Sequence, residues 1–148
     1  MKIAIGADHA GFALKQQIGD ALREAGHQVI DVGTHNTEAT DYPDYAAAMA
    51  QDVAQGQAER GILVCATGVG MSIAADKVAG VRAALAWNPE EVELMRQHGN
   101  ANVMALGAKF TDAATANQLI RIFIEMPFEG GGRHERRIAK IARLEQPT

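Results

Sequence analysis

The chain has 148 residues, 47% hydrophobic and 22% charged, with a formal net charge of −4. That length and balance suit one globular domain spanning 1–148 with a substantial core, and exclude a disordered chain. The mild acidity gives no general attraction to nucleic acid or an anionic membrane, and no apolar run approaches the roughly 20 residues of a spanning helix, so an anion site has to be built locally.

Short apolar runs alternate with longer segments of helical period. Lys2–Ile5 predicts a first strand, not a signal peptide, and it ends at Gly6-Ala-Asp8-His9-Ala-Gly11. Phe12, Leu14, Ile18, Leu22 and Ala25 then share one side of a helix that stops at Gly26. Val29–Val32 predicts the second strand. A polar loop from Gly33 to Pro43 leads into an alanine-rich helix from about Asp44 to Ala54. Ile62–Cys65 predicts the third strand and Ser72–Ala79 the third helix; Arg82–Trp87 predicts the fourth strand, and Pro89-Glu-Glu opens the next helix. Val103–Leu106 predicts the fifth strand and Asp112–Glu125 another helix. The strands are apolar throughout rather than alternating, as in a sheet covered on both faces. The expected fold is therefore a doubly wound, Rossmann-like, five-stranded parallel sheet with helices on both faces. Gly130-Gly131-Gly132 then detaches a protruding C-terminal helix, about 133–145, with Ile138, Ile141 and Leu144 as its apolar stripe. Such a helix suits packing on a partner subunit.

The only cysteine, Cys65, closes an apolar strand and runs into the turn Ala66-Thr67-Gly68-Val69-Gly70. One cysteine excludes an intramolecular disulfide and any C-x-x-C pattern, which fits a reduced, cytoplasmic protein. A strand, a tight turn and a helix N-terminus converge several N–H groups on one small volume and favour a thiolate. A thiolate there is suited to moving a proton beside a phosphate or an enolate. A lone cysteine in an apolar run reads equally as inert packing, Asp8-His9 as a helix cap, and Tyr42-Pro43 as loop packing. Their joint occurrence beyond the carboxyl ends of strands, where ligands of open α/β sheets bind, favours a site. His98 ends a helix, where it can simply face the dipole. Arg133 and Arg137 share a helical face and make either a solvated surface or a phosphate fork. Thr67-Gly68-Val69-Gly70 is neither a Walker loop nor a G-x-G-x-x-G fingerprint, which disfavours nucleotides. His9, His98 and Asp8 lack metal-ligand spacing.

Several separated segments carry a family resemblance. Gly6-Ala-Asp8-His9-Ala-Gly11-Phe12-x-Leu14-Lys15, Thr40-Asp41-Tyr42-Pro43, Ile62-Leu-Val-Cys65-x-Thr67-Gly68-Val-Gly70-x-Ser72, Asn102-Val-x-Ala-Leu-Gly107 and Phe128-Glu-Gly-Gly…Arg133-His134-x-x-Arg137 resemble the type B ribose-5-phosphate isomerases, a family that includes the galactose-6-phosphate isomerase subunits. The resemblance runs nearly end to end. It implies aldose–ketose isomerisation of a phosphorylated sugar through an enediolate, without metal or cofactor. It implies Cys65 as the base that moves a proton between C1 and C2; some relatives use a glutamate at the position of Met71. It assigns enediolate donors to Thr67, Gly68 and Gly70, ring opening to Asp8 and His98, and phosphate binding to His9, Arg133 and Arg137, with Tyr42 lining the sugar pocket. It further implies a homodimer or homotetramer whose sites are shared between subunits, His98 and the arginines coming from the neighbour.

The chain departs from the family pattern at three places. It reads His98-Gly99-Asn100 where an asparagine usually follows the histidine, so that donor is absent unless Asn100 takes its place. It has Lys109 where arginine is common, which keeps charge without the fork. It carries three glycines at 130–132 where two are usual. Ribose 5-phosphate to ribulose 5-phosphate is the leading reaction. Another phosphorylated aldose (a hexose 6-phosphate such as allose or galactose, or a tetrose 4-phosphate), a non-catalytic sugar-phosphate-binding module, and a flavodoxin-like electron-transfer or nucleotide module are the alternatives.

Overall fold

A computed structural model describes residues 1–147. Five strands, β1 (Lys2–Ala7), β2 (Gln28–Asp31), β3 (Arg60–Cys65), β4 (Ala83–Leu85) and β5 (Val103–Gly107), pair in parallel in the order β2-β1-β3-β5-β4. Five helices connect and follow them: α1 (Phe12–Glu24), α2 (Tyr42–Ala54), α3 (Val69–Ala75), α4 (Pro89–Gln97) and α5 (Ala113–Glu125); α6 (Arg133–Arg143) ends the fold.

Period-two alternation divides the strand side chains between two cores. Ile3, Ile5, Ile62, Val64, Met104 and Leu106 meet α1, α4 and α5, with Ile18, Leu119 and Phe123 among the fully buried partners. Ala4, Leu63, Cys65, Val103 and Ala105 meet Ala46, Met49, Ala50, Met71 and Ala75 of α2 and α3. Both faces are thus covered, which explains the uninterrupted apolar strands. Because β2 and β3 flank β1, the chain leaves β1 toward opposite sides, and the crevice opens between the carboxyl ends of β1 and β3. Gly11 lets α1 approach there: a Cβ on it would collide with the Val64 carbonyl.

The boundaries shift where turn chemistry outweighs periodicity. Helix α2 starts at Tyr42, not Asp44, because Pro43 is already set to a helical φ in the first turn. Helix α3 starts at Val69, not Ser72, because Gly68 takes φ 79° and turns the chain straight from β3's end into the helix. It also ends earlier, at Ala75, and β4 is shorter than Arg82–Trp87. As an edge strand β4 is paired only to β5. Helix α6 buries none of its residues; Ile141 is 50% and Leu144 83% exposed.

Candidate active site

The crevice between β1 and β3 is built from two turns. After β1, the Asp8 carboxylate accepts the N–H groups of Ala10 (3.0 Å) and Gly11 (3.1 Å) through Oδ1. Asp8 is buried, whereas His9 next to it is exposed. His9 Nδ1 accepts the Thr40 N–H at 3.2 Å. A neutral imidazole accepting through Nδ1 carries its proton on Nε2 and presents it as a donor.

After β3, buried Cys65 Sγ accepts the Gly68 N–H at 3.1 Å. Thr67 is exposed, and its Oγ1 accepts from Val69 N at 3.3 Å. The first intrahelical bond of α3 is Ser72 N to Gly68 O, so the amide of half-buried Gly70 precedes it and stays available as a donor, whereas Met71 is fully buried. The Gly68 amide is occupied by the sulfur. Gly70 is needed for contact: a Cβ on it would lie 2.5 Å from Tyr42 Cζ, so the Tyr42 ring rests on this turn. Lys109 joins the same edge, because its N–H and that of Ala108 donate to the carbonyls of Ala66 (3.0 Å) and Cys65 (2.9 Å). The structure therefore brings Asp8, His9, Tyr42, Cys65, Thr67, Gly68, Gly70 and Lys109 to one edge of the sheet.

The remaining candidates stand at the other edge. Helix α4 runs antiparallel to the strands and delivers His98 ahead of the start of β5; five residues of β5 separate the two edges by at least about 13 Å. The His98 and His134 rings stack at 4.0 Å with 9° between planes. Arg133 and Arg137 flank His134 on α6, and burial first, then the charges of His98, Arg133 and Arg137, hold the His134 imidazole below its ordinary value. Asn100, at φ 43°, is tied into this turn: its side-chain oxygen accepts from Arg96 Nη1 (2.9 Å), and its carbonyl from Arg82 Nη2 (2.8 Å).

Within one chain, then, Cys65 and His98 do not meet. Ligand atoms of His98, Glu129 and His134 lie within 4.8 Å of one another. The stacked rings lie in near-parallel planes 4.0 Å apart, so their in-plane lone pairs do not share one plane, and two neighbouring arginines add positive charge that opposes a cation.

The sequence reading passed over Arg82, Arg96, Glu129 and His134. Arg96 is 3% exposed and bonds Asn100, the Ala101 carbonyl (2.6 Å) and the Met126 carbonyl (3.1 Å). Burial, and then Arg60 and Arg82 nearby, push its guanidinium down to about 10. An arginine inside an amphipathic helix carries no local signal of this role. Only His134 had one, standing beside Arg133 after the glycine run.

This two-turn crevice has relatives. A family model described as Ribose/Galactose Isomerase matches residues 3–141. The chain belongs to that family. Ribose-5-phosphate isomerase B of Escherichia coli K12 is 46% identical over 145 residues, covering 98% of this chain and 97% of that protein. Among solved structures, a ribose-5-phosphate isomerase B from Clostridium thermocellum superposes with a TM-score of 0.96 at 43% identity, covering 98% and 97% of the two chains. The Mycoplasma genitalium enzyme of the same name, solved with bound ribulose 5-phosphate, gives 0.94 at 42% identity, with 99% and 97% covered. The relatives of solved structure share this doubly wound sheet, and these relatives bear the name ribose-5-phosphate isomerase B.

Proposed function

We propose that this chain interconverts D-ribose 5-phosphate and D-ribulose 5-phosphate. The observation that carries the reading is the Cys65 turn: a sulfur at the carboxyl end of β3, with the Gly70 amide and Thr67 beside it and the Asp8 carboxylate across the crevice. Relatives that bear the ribose-5-phosphate isomerase B name along their whole length support the choice of sugar.

In the open-chain aldose, the Cys65 thiolate removes the proton from C2. The C2–H electron pair becomes the C1=C2 bond, and negative charge moves to the C1 oxygen. The Gly70 amide and the Thr67 hydroxyl are the donors for that charge. The thiol returns its proton to C1, and the proton of the C2 hydroxyl passes to the C1 oxygen as the C2 carbonyl forms, so that thiolate and neutral ketose result. Asp8 and His98 serve ring opening, and His9, through Nε2–H, grips the phosphate with Arg133 and Arg137. Tyr42 and Lys109 line the sugar side, and Asn100 shapes the His98 turn.

The separation of the two edges requires a second copy, so the reading includes a homodimer or homotetramer in which His98, Arg133 and Arg137 of one chain complete the Cys65 crevice of another. Surface chemistry supports this. A cavity of about 1010 Å³ between α4 and α6, lined by Leu94, Met95, Ile141 and Leu144 among others, lies away from Cys65. Trp87 (61%) and Phe110 (68%) are exposed, and both line the small cavity that includes Thr67. No helix among the described residues is long and apolar enough to cross a membrane, and with the single free thiol this suits a cytoplasmic enzyme.

Proton NMR with ribose 5-phosphate in D₂O tests the reading. Ribulose 5-phosphate carrying deuterium at C1 is the expected result. Folded protein giving neither product nor exchange would move the assignment to another aldose phosphate, which a hexose and tetrose phosphate panel resolves.

A further inference from the structure

Lys15, on α1, has no exposed surface. Its Nζ lies 2.6 Å from Asp31 Oδ1 and 2.7 Å from the Thr34 carbonyl, and 5.6 Å from the centre of the Phe12 ring. A buried ammonium costs far more than the leucine or methionine that could fill the same space, unless its pairing does something. Its acceptors lie where the chain leaves the sheet. Asp31 closes β2, and the same Oδ1 accepts the Gly33 N–H at 2.9 Å. Ala7 N donates to Gly33 O (2.8 Å) and Thr34 N to Ala7 O (2.7 Å), so the backbone of Gly33 and Thr34 is fastened to the end of β1 from one side and to Lys15 from the other.

The segment that starts at this anchor ends in the crevice. Thr40 donates its N–H to His9 Nδ1, and its Oγ1 lies 3.1 Å from the Tyr45 hydroxyl. The Thr40 hydroxyl, and after it Thr34, hold that hydroxyl below the ordinary phenol range, against burial and the Asp44 charge. The buried ammonium thus holds Asp31 and Thr34, the Tyr45 ring rests on Gly33 beside them (a Cβ there would lie 3.0 Å from its Cε1) and meets Thr40, and Thr40 reaches an exposed imidazole beside Asp8.

We propose that Lys15 is a positioning residue for His9: by anchoring the Asp31–Thr34 corner it holds the following loop so that the Thr40 N–H stays on His9 Nδ1 and the proton stays on Nε2. The arrangement fixes His9 as a donor, the form that an anionic phosphate oxygen requires. The consequence for substrate rests on the reading above in one respect, that His9 touches the phosphate.

The test is Lys15→Met, a substitution of similar length without the charge, examined on the full chain with ¹⁵N-labelled histidine. In the parent protein His9 is expected to show an unprotonated Nδ1 and a protonated Nε2. In Lys15→Met it is expected to show a mixture of tautomers, with KM for ribose 5-phosphate raised about tenfold, the scale of one hydrogen bond to a charged group, and kcat within about twofold. A merely stabilising lysine would lower the melting temperature and leave both the tautomer and KM alone. If Lys15→Met does not fold, Asp31→Asn removes the counter-charge with the shape kept and is read the same way. A folded variant whose His9 keeps the Nδ1-acceptor tautomer overturns the proposal, whatever happens to KM. A mixture of tautomers with unchanged KM upholds the link from Lys15 to His9 and refutes the phosphate contact instead.

Discussion

Cys65 is half satisfied by its own turn, and that makes its substitution informative. The Gly68 N–H is the sulfur's hydrogen-bond partner, and the side chain otherwise packs among Leu63, Ala105 and Met71. Cys65→Ala should therefore keep the fold and the ligand-induced thermal shift with ribose 5-phosphate, while turnover in a ribulose-forming assay falls by about 10²–10⁴, the usual worth of a positioned base. Full activity in the variant would remove the proposed base. Gly70→Ala probes the same turn from outside. The added methyl must displace the Tyr42 ring, which is 39% exposed and free to swing away. The expected result is a several-fold rise in KM with little loss of stability, and Tyr42→Ala in the same chain should make Gly70→Ala nearly silent, because the collision is gone. At this scale the sequence was most readable where chemistry sits at a strand end: Asp8, Cys65 and Thr67 follow apolar runs and precede glycine-rich turns. Lys15 and Arg96 were not readable as network residues. Each stands in an amphipathic helix where a long cation ordinarily snorkels to solvent, and only the folded surroundings show that it does not.

Among the elements, alternation of apolar runs and helical segments announced the strands and most packed helices, since packing decides them, whereas α4 was marked by Pro89-Glu-Glu and α6, which buries no residue, by the glycine break. The starts of α2 and α3 depend on single backbone torsions at Pro43 and Gly68, to which periodicity is blind. The connection from α4 to β5 shows how much an element end can depend on one side chain. Arg96 bridges Asn100, Ala101 and Met126, and so joins the His98 turn to the segment that leads to α6. Arg96→Met should cost about 2–4 kcal/mol in denaturant unfolding, because buried carbonyls lose a charged donor. It should also loosen His98. Loss of the stacking with His134 would show as a changed histidine ¹H shift. The pH response belongs here too. His134 is held below its ordinary value, so its contribution favours the neutral form: it is complete above the unfolded-state value and is lost as pH falls through the folded one. Melting temperature should therefore fall more on acidification from neutral pH in the parent than in His134→Phe, which keeps the stack without the proton. Equal slopes would show that this ring does not couple protonation to folding.

Across the whole molecule, the proposed site is divided into two halves. The edge carrying Cys65, Thr67, Asp8 and His9 holds the proposed base and donors, whereas the edge carrying His98, Arg133 and Arg137 holds the proposed phosphate arginines, and the length of β5 keeps them apart. The sequence suggested a partner through a glycine-hinged helix, but the separation itself follows only from the direction of α4 relative to the strands. Mixing two inactive variants tests the consequence. In a two-fold dimer with shared sites, pairing Cys65→Ala with His98→Ala puts both defects in one site and leaves the other whole. Random exchange makes half the dimers mixed, each with one intact site of two, so specific activity should recover to about a quarter of the parent value by simple binomial counting. Each variant alone stays at its own low level at every concentration. If the site were built within one chain, every chain in the mixture would still carry a defect, and verified subunit exchange would bring no recovery. A recovery well below a quarter, rising with time after mixing, would report slow exchange through the apolar surfaces around α6 rather than a different site, because the plateau and not the rate counts the intact sites.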